Sequence, residues 1–200
     1  MNEHNPIKLS ILICTLESRR EMFGKLIENI LSKAEAIGWK CDADFEILYS
    51  EDNGAMPTGK KRNELLRDAT GEFVAFLDDD DEPTEEYFPT AKEVHQLNRD
   101  CASLRGIITH DGNVPEIFEH SLRYKEWKTN EHAMTHEVKY ERNPNHLNFI
   151  KRTIAQKIPF PEVTIGEDHK WSTKLHESGM IKTELYHDKI MYLYKFKSNK

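Results

Sequence analysis

Between Leu9 and Asp81 the chain repeats one pattern: a short apolar run that ends in polar or acidic residues, then a stretch with apolar residues at helical spacing. Ile7–Cys14 (IKLSILIC), Phe45–Tyr49 (FEILY) and Phe73–Leu77 (FVAFL) read as buried strands. Ser18 and Glu21 have the spacing of a capping box, so a helix is expected just after Ser18, with Met22, Leu26, Ile30 and Ala34 on its apolar face and Gly38 as its stop. A second helix is expected from about Gly59 to Ala69, closed by Gly71. Strands alternating with helices across short links predict parallel strands joined by crossover helices. In such a sheet, ligands bind beyond the carboxyl ends of the strands. Thr15 and Glu17, then Glu51, Asp52 and Asn53, then Asp78–Asp81 fall at those ends.

The third run, FVAFLDDDD, sets four carboxylates side by side. Adjacent carboxylates repel one another and are costly to desolvate without a counter-charge. One reading is a solvated acidic turn leading into a helix, with Pro83 near its first position. The other is a bound cation. Three acidic strand ends facing one crevice favour the cation.

The second half is less regular. Glu85–Leu97 reads as a helix and Ala102–Thr109 as one further strand. His110 to Asn143 is polar and weakly patterned, and is expected to form an antiparallel annex. Its histidines, with His146, form no compact ligand set. A helix is expected from about Asp168, and Lys182–Phe196 carries two strand-like runs split near His187 and Asp188.

Composition excludes several classes. With 38% hydrophobic and 32% charged residues over 200 positions, the chain can bury a core. A formal charge of −7 argues against a general nucleic-acid binder, Lys60-Lys61-Arg62 being a local basic exception. Cys14, Cys41 and Cys101 lie far apart without a CxxC pair and read as reduced thiols. MNEHNPIKLS has no leader pattern, and no apolar stretch is long enough to span a bilayer. A cytoplasmic location is expected.

Two motif readings fit in part. GAMPTGKK (Gly54–Lys61) is nearly a P-loop, but Lys61 stands where the magnesium-binding hydroxyl belongs. Asp78 and Asp80 have the spacing of an aspartyl-phosphate motif, with Glu82 at the unsuited fifth position. The ordered set LSILICTLESRREMFGKLIENIL, FEILYSEDNG and GKKRNELLRDATGEFVAFLDDDD resembles the nucleotide-sugar half of the family-2 glycosyltransferases with the GT-A fold. Downstream, GEDHKWSTKL resembles that family's acceptor-side motif, and YHDKIMYLYKF its closing strands. The resemblance covers Leu9–Asp81 well and Asn145–Phe196 moderately.

The resemblance implies an α/β GT-A fold: a Rossmann-like, mostly parallel sheet flanked by helices, with a smaller acceptor-side part. It implies one catalytic domain over 1–200, with residues 7–100 as the nucleotide-sugar half and 101–200 as the acceptor half. The activity implied is a non-processive, inverting transfer of a single sugar from a nucleotide-diphosphate sugar, a UDP-sugar foremost, to an acceptor hydroxyl on a glycan or lipid-linked acceptor. Mn2+ or Mg2+ would neutralise the leaving diphosphate. Asp80 would ligate the metal, with Asp81 as the alternative in a run of four, and His187 would add a nitrogen ligand. Thr15, Glu17, Glu51, Asp52, Arg62, Asp78 and Asp79 match positions of the nucleotide-sugar site. Asp168 matches the general base, with Glu167 as its understudy, and Trp171 would offer a flat face to the acceptor. The family's Pro-Thr-Tyr after the first strand stands here as Cys14-Thr15-Leu16. Two alternatives stay open: a GT-A-like binding module without catalysis, and a metal-dependent nucleotidyl or phosphoryl transferase.

Overall fold

The structure is a computed structural model describing residues 6–196. Residues 1–5, the start of the stretch without a leader pattern, lie outside the described residues. In chain order the elements are β1 (Leu9–Leu16), α1 (Arg20–Ala36), β2 (Phe45–Asp52), α2 (Thr58–Asp68), β3 (Phe73–Phe76), β4 (Glu82–Pro83), α3 (Tyr87–Gln96), β5 (Cys101–Ala102), β6 (Leu104–His110), β7 (Glu116–His120), β8 (Lys128–Thr129), β9 (Val138–Arg142), β10 (Ile150–Lys151), α4 (Arg152–Ala155), α5 (Glu167–Ser178), β11 (Glu184–Leu185) and β12 (Ile190–Phe196).

β1 is a near-continuous apolar strand because it is covered on both faces. Leu9, Ile11 and Ile13 point to a core shared with Leu26, Ile30 and Ala34 of α1 and with Tyr87, Phe88 and Val94 of α3. Leu12 points the other way, to Leu65 and Leu66 of α2, Ala155 of α4, and Trp171 and Leu175 of α5. The alternation along one strand thus sorts the helices into two layers. β1 pairs in parallel with β2 (Leu9 opposite Phe45) and with β3 (Leu9 opposite Phe73), which aligns their carboxyl ends.

The sheet runs β11-β5-β10-β3-β1-β2 and is mixed, whereas the sequence pattern predicts a mostly parallel one. The difference comes from the second half of the chain, whose β10 inserts antiparallel between β3 and β5. A second mixed sheet runs β4-β12-β6-β7-β9-β8. It contains the expected annex, but β7 and β9 pair in parallel. The single strand expected over Ala102–Thr109 is divided at Ser103: β5 belongs to the first sheet and β6 to the second. Ser103 Oγ accepts from His187 N–H at 3.1 Å and donates to His187 C=O at 3.2 Å, tying this break to the parallel break between β11 and β12.

Two local expectations are corrected. No capping box forms at Ser18; Glu17–Arg19 makes a 3-10 turn, and no side chain caps α1. Gly71 does not close α2 in a left-handed conformation. It lets β3 approach β1, since a Cβ there would lie 2.6 Å from Ser10 N. Gly38, with φ +77°, does end α1 as expected.

Candidate active site

The parallel ends of β1, β2 and β3 open into a cavity of about 350 Å3. Cys14 and Thr15 from β1, Gly54 and Met56 after β2, Lys61 and Arg62 from α2, and Asp78, Asp79 and Asp80 after β3 line it, with Tyr194 of β12. The four aspartates occupy four different environments.

Asp78 is half-buried and receives Arg62 Nη2 at 3.2 Å. Asp79 is buried and committed on both oxygens, to the Thr15 hydroxyl at 2.7 Å and to Arg19 Nη1 at 2.7 Å. It therefore fixes the end of β1 and anchors a residue, Arg19, that the sequence did not single out. Asp80 is half-buried and lines the cavity. Asp81 is turned inward, where the Tyr192 hydroxyl donates at 2.9 Å and Lys195 N–H at 3.0 Å. Burial and the neighbouring Asp78 push its carboxyl up to about 8. Its place in the core removes Asp81 from the candidate ligands.

α2 supplies two buried cations at its start. Lys61 donates to Thr15 C=O at 2.9 Å and pairs with Asp52, and its hydrogen bond holds the Asp52 carboxyl at about 2. The Lys61 ammonium thus braces β1 against β2 and is not offered to a phosphate, which disposes of the P-loop reading. Its glycines have other reasons: Gly54 has φ +90°, and a Cβ on Gly59 would lie 1.9 Å from Pro161 C=O. Arg62 bridges Asp78 and Glu167 Oε1 (3.4 Å) and lies over the Phe76 ring at 4.9 Å. Buried Arg62 Nη1 has no partner among the described residues.

A second cavity, about 160 Å3, adjoins the first, and Asp78 and Tyr194 line both. Asp168, in the first turn of α5, lines it together with Trp127, Tyr140 and Arg142. Gly166, with φ +74°, makes the turn that starts α5. His120 and His146 also line this cavity as neutral rings: burial and Arg142 hold His120 near 3, and burial holds His146 well below its usual value.

Several expected residues lie elsewhere. Glu167 is buried in the Arg62 pair, with burial raising its carboxyl, and lines neither cavity. Trp171 is 1% exposed, stacked on Phe160 at 4.7 Å and donating to Ile158 C=O at 2.7 Å. It is a core residue and presents no acceptor surface; Trp127 is the tryptophan that lines the second cavity. His187 precedes β12 on the side away from the aspartates: Tyr192 of β12 pairs with Pro83, Lys195 reaches Asp81, and His187 is held at Ser103. Charges near His187 are Lys189, Glu93, Asp188 and Glu86, so the structure does not bring it to Asp80. Glu17 is exposed in the 3-10 turn, and Glu51 forms a bidentate pair with Arg20; neither lines either of these two cavities.

Among the described residues no group of three His, Cys, Asp or Glu side chains is gathered as a metal site. The donor set in the first cavity is nonetheless hard oxygen, Asp78 and Asp80. That suits a small divalent cation that takes one or two carboxylates from a protein and further oxygens from a bound diphosphate.

The family described as Glycosyl transferase family 2 matches residues 42–158, more than half of the chain. No curated protein matches significantly. Among solved structures, that of S. aureus TarS residues 1–349 in complex with UDP-GlcNAc is similar over 97% of this chain and 60% of its own, with TM-score 0.65 and 18% identity. A second structure of S. aureus TarS residues 1–349 gives TM-score 0.62 at 18% identity, over 94% of this chain and 60% of its own. The chain thus spans about 60% of the length of those structures, and at that identity the likeness establishes the fold alone.

Proposed function

Because the chain belongs to glycosyl transferase family 2, we propose that it moves one sugar from a nucleotide-diphosphate sugar to an acceptor hydroxyl, with inversion and with help from a divalent cation. The observation carrying this reading is the pair of adjoining cavities. One has aspartates and buried cations at strand ends, the other has Asp168, and both share Asp78 and Tyr194. The TarS structure with UDP-GlcNAc supports a UDP-sugar as donor.

On this reading the nucleotide lies over the ends of β1 and β2, where Thr15 and the Lys61–Asp52 brace form the floor. Arg62, held between Asp78 and Glu167 and lining the first cavity, would bring its positive charge to the diphosphate side. Asp78 and Asp80 would hold Mn2+ or Mg2+, which when bound supplies Lewis-acid neutralisation of the leaving diphosphate. Asp168 accepts the proton of the acceptor hydroxyl as its oxygen forms a bond to the anomeric carbon. The bond from that carbon to the diphosphate oxygen breaks, and the diphosphate leaves with the electron pair. Attack from the face opposite the diphosphate inverts the centre. Fixing both substrates across one shared wall supplies rate through orientation.

Among the described residues no helix is long and apolar enough to cross a membrane. Cys14, Cys41 and Cys101 are free thiols, in keeping with a cytoplasmic location.

Calorimetric titration of UDP with Mn2+, then with chelator, tests the donor site. Binding should require the metal and be lost in Asp80→Ala. Asp168→Asn should retain UDP binding and lose about 10²–10⁴-fold in turnover. Absence of UDP binding to the wild-type chain would overturn the donor reading.

A further inference from the structure

Arg142 ends β9 at the acceptor-side cavity. Its guanidinium carbon lies 4.1 Å from the centre of the Trp127 ring, at stacking distance. The other arginines near the junction are ion-paired with carboxylates: Arg62 with Asp78 and Glu167, Arg19 with Asp79. Arg142, among the described residues, makes no ion pair and no side-chain hydrogen bond, although a guanidinium carries five N–H donors in a planar fork. Burial lowers its pKa, and the carboxylate of Asp168 across the cavity offsets this only in part. The histidines beside it are neutral, and Asp78 is already balanced by Arg62.

The platform beneath Arg142 is built into the helix that carries Asp168. Trp127 Nε1 donates to Ser172 Oγ at 3.3 Å, and its ring meets His169 edge-on at 4.6 Å. Asn143, next to Arg142 in the chain, donates to Ser172 C=O at 3.0 Å. α5 thus fixes, one turn apart, the carboxylate of Asp168 and the seat of Arg142.

We infer that the acceptor carries an oxyanion, a phosphate or a carboxylate, which the fork of Arg142 grips over the Trp127 face while the neighbouring hydroxyl faces Asp168. This deepens the proposed function and rests on it. A planar fork over an aromatic face suits oxyanions, which it binds through two parallel hydrogen bonds. A neutral glycan would leave those donors unmatched at a cost.

Trp127 reports on the site, since Trp39 and Trp171 are buried elsewhere. Its fluorescence, with Trp127→Phe as the signal control, would follow titration of glycerol 3-phosphate, D-glycerate and glycerol into the whole chain, each with and without saturating UDP and Mn2+. Glycerol 3-phosphate or D-glycerate should bind at least tenfold more tightly than glycerol, with UDP present as well as absent. The tighter of the two assigns the oxyanion as phosphate or carboxylate. Arg142→Gln should bring that affinity to the level of glycerol while leaving UDP affinity unchanged. Equal binding of all three by the wild-type chain would overturn the inference, whatever the variant does. So would loss of glycerol 3-phosphate and D-glycerate binding when UDP is present, which would hand Arg142 to the donor. If UDP fails to bind while an Arg142-dependent oxyanion still does, the donor reading falls and the oxyanion site stands.

Discussion

Asp78, Asp79, Asp80 and Asp81 are the same residue type with four different jobs, and burial decides which. Asp81 shows the consequence most directly. Its folded-state pKa, about 8, lies above its ordinary value of 3.8, so the folded chain holds a proton that the unfolded chain releases. The contribution of this carboxyl to stability is therefore full below about pH 4 and is lost as pH rises through about 8. Asp81→Asn removes the titration and keeps one acceptor for the Tyr192 hydroxyl, while opposing Lys195 N–H with an amide. The variant should be less stable by about 1 kcal/mol at pH 5. Between pH 5 and 8 its melting temperature should fall less than that of the parent, as followed by circular dichroism. An equal fall in both would assign the pH dependence elsewhere.

At the scale of elements, the donor cavity depends on how closely α2 approaches the loop before α5. Gly59 N–H donates to Val163 C=O at 3.0 Å, and Pro161 leaves no room for a side chain on Gly59. Gly59→Ala should force the helix start and the loop apart. A loss of about 1–3 kcal/mol is expected from overpacking, along with weaker UDP binding by calorimetry because Lys61 and Arg62 move with the helix. An unchanged melting temperature would show that the loop gives way freely. These elements were legible in the sequence because their signals are local. The period of β1 and α1, and the acidic ends at Asp52 and Asp78, are set within a few residues. The partners were not. Arg19, Trp127, Arg142 and Tyr194 reach the cavities through strand order and sheet crossing, which no window of sequence contains. Trp171 and His187 were misplaced for the same reason: their helical or strand spacing is clear, but the face each presents is fixed by Phe160 and Ser103, far away in the chain.

For the whole molecule, the two halves read from the sequence exchange strands. β5, β10 and β11 from residues beyond 100 complete the first sheet, and β4 from the earlier half edges the second. Neither half closes its own sheet, and we propose that the described residues form a single domain. The wall common to the two cavities also orders events in time. Asp78 and Tyr194 face both spaces, while the two nucleophile types in the first cavity are held back: burial pushes the Cys14 thiol up to about 11, and Lys61 is committed to Thr15 C=O and Asp52. On the proposed inverting reading the sugar passes directly from one partner to the other, so both must be aboard at once. Initial rates plotted as reciprocals at several acceptor concentrations should then give lines that intersect. Parallel lines would mean that the sugar rests on the protein between two half-reactions, and that the wall conceals a stopping place.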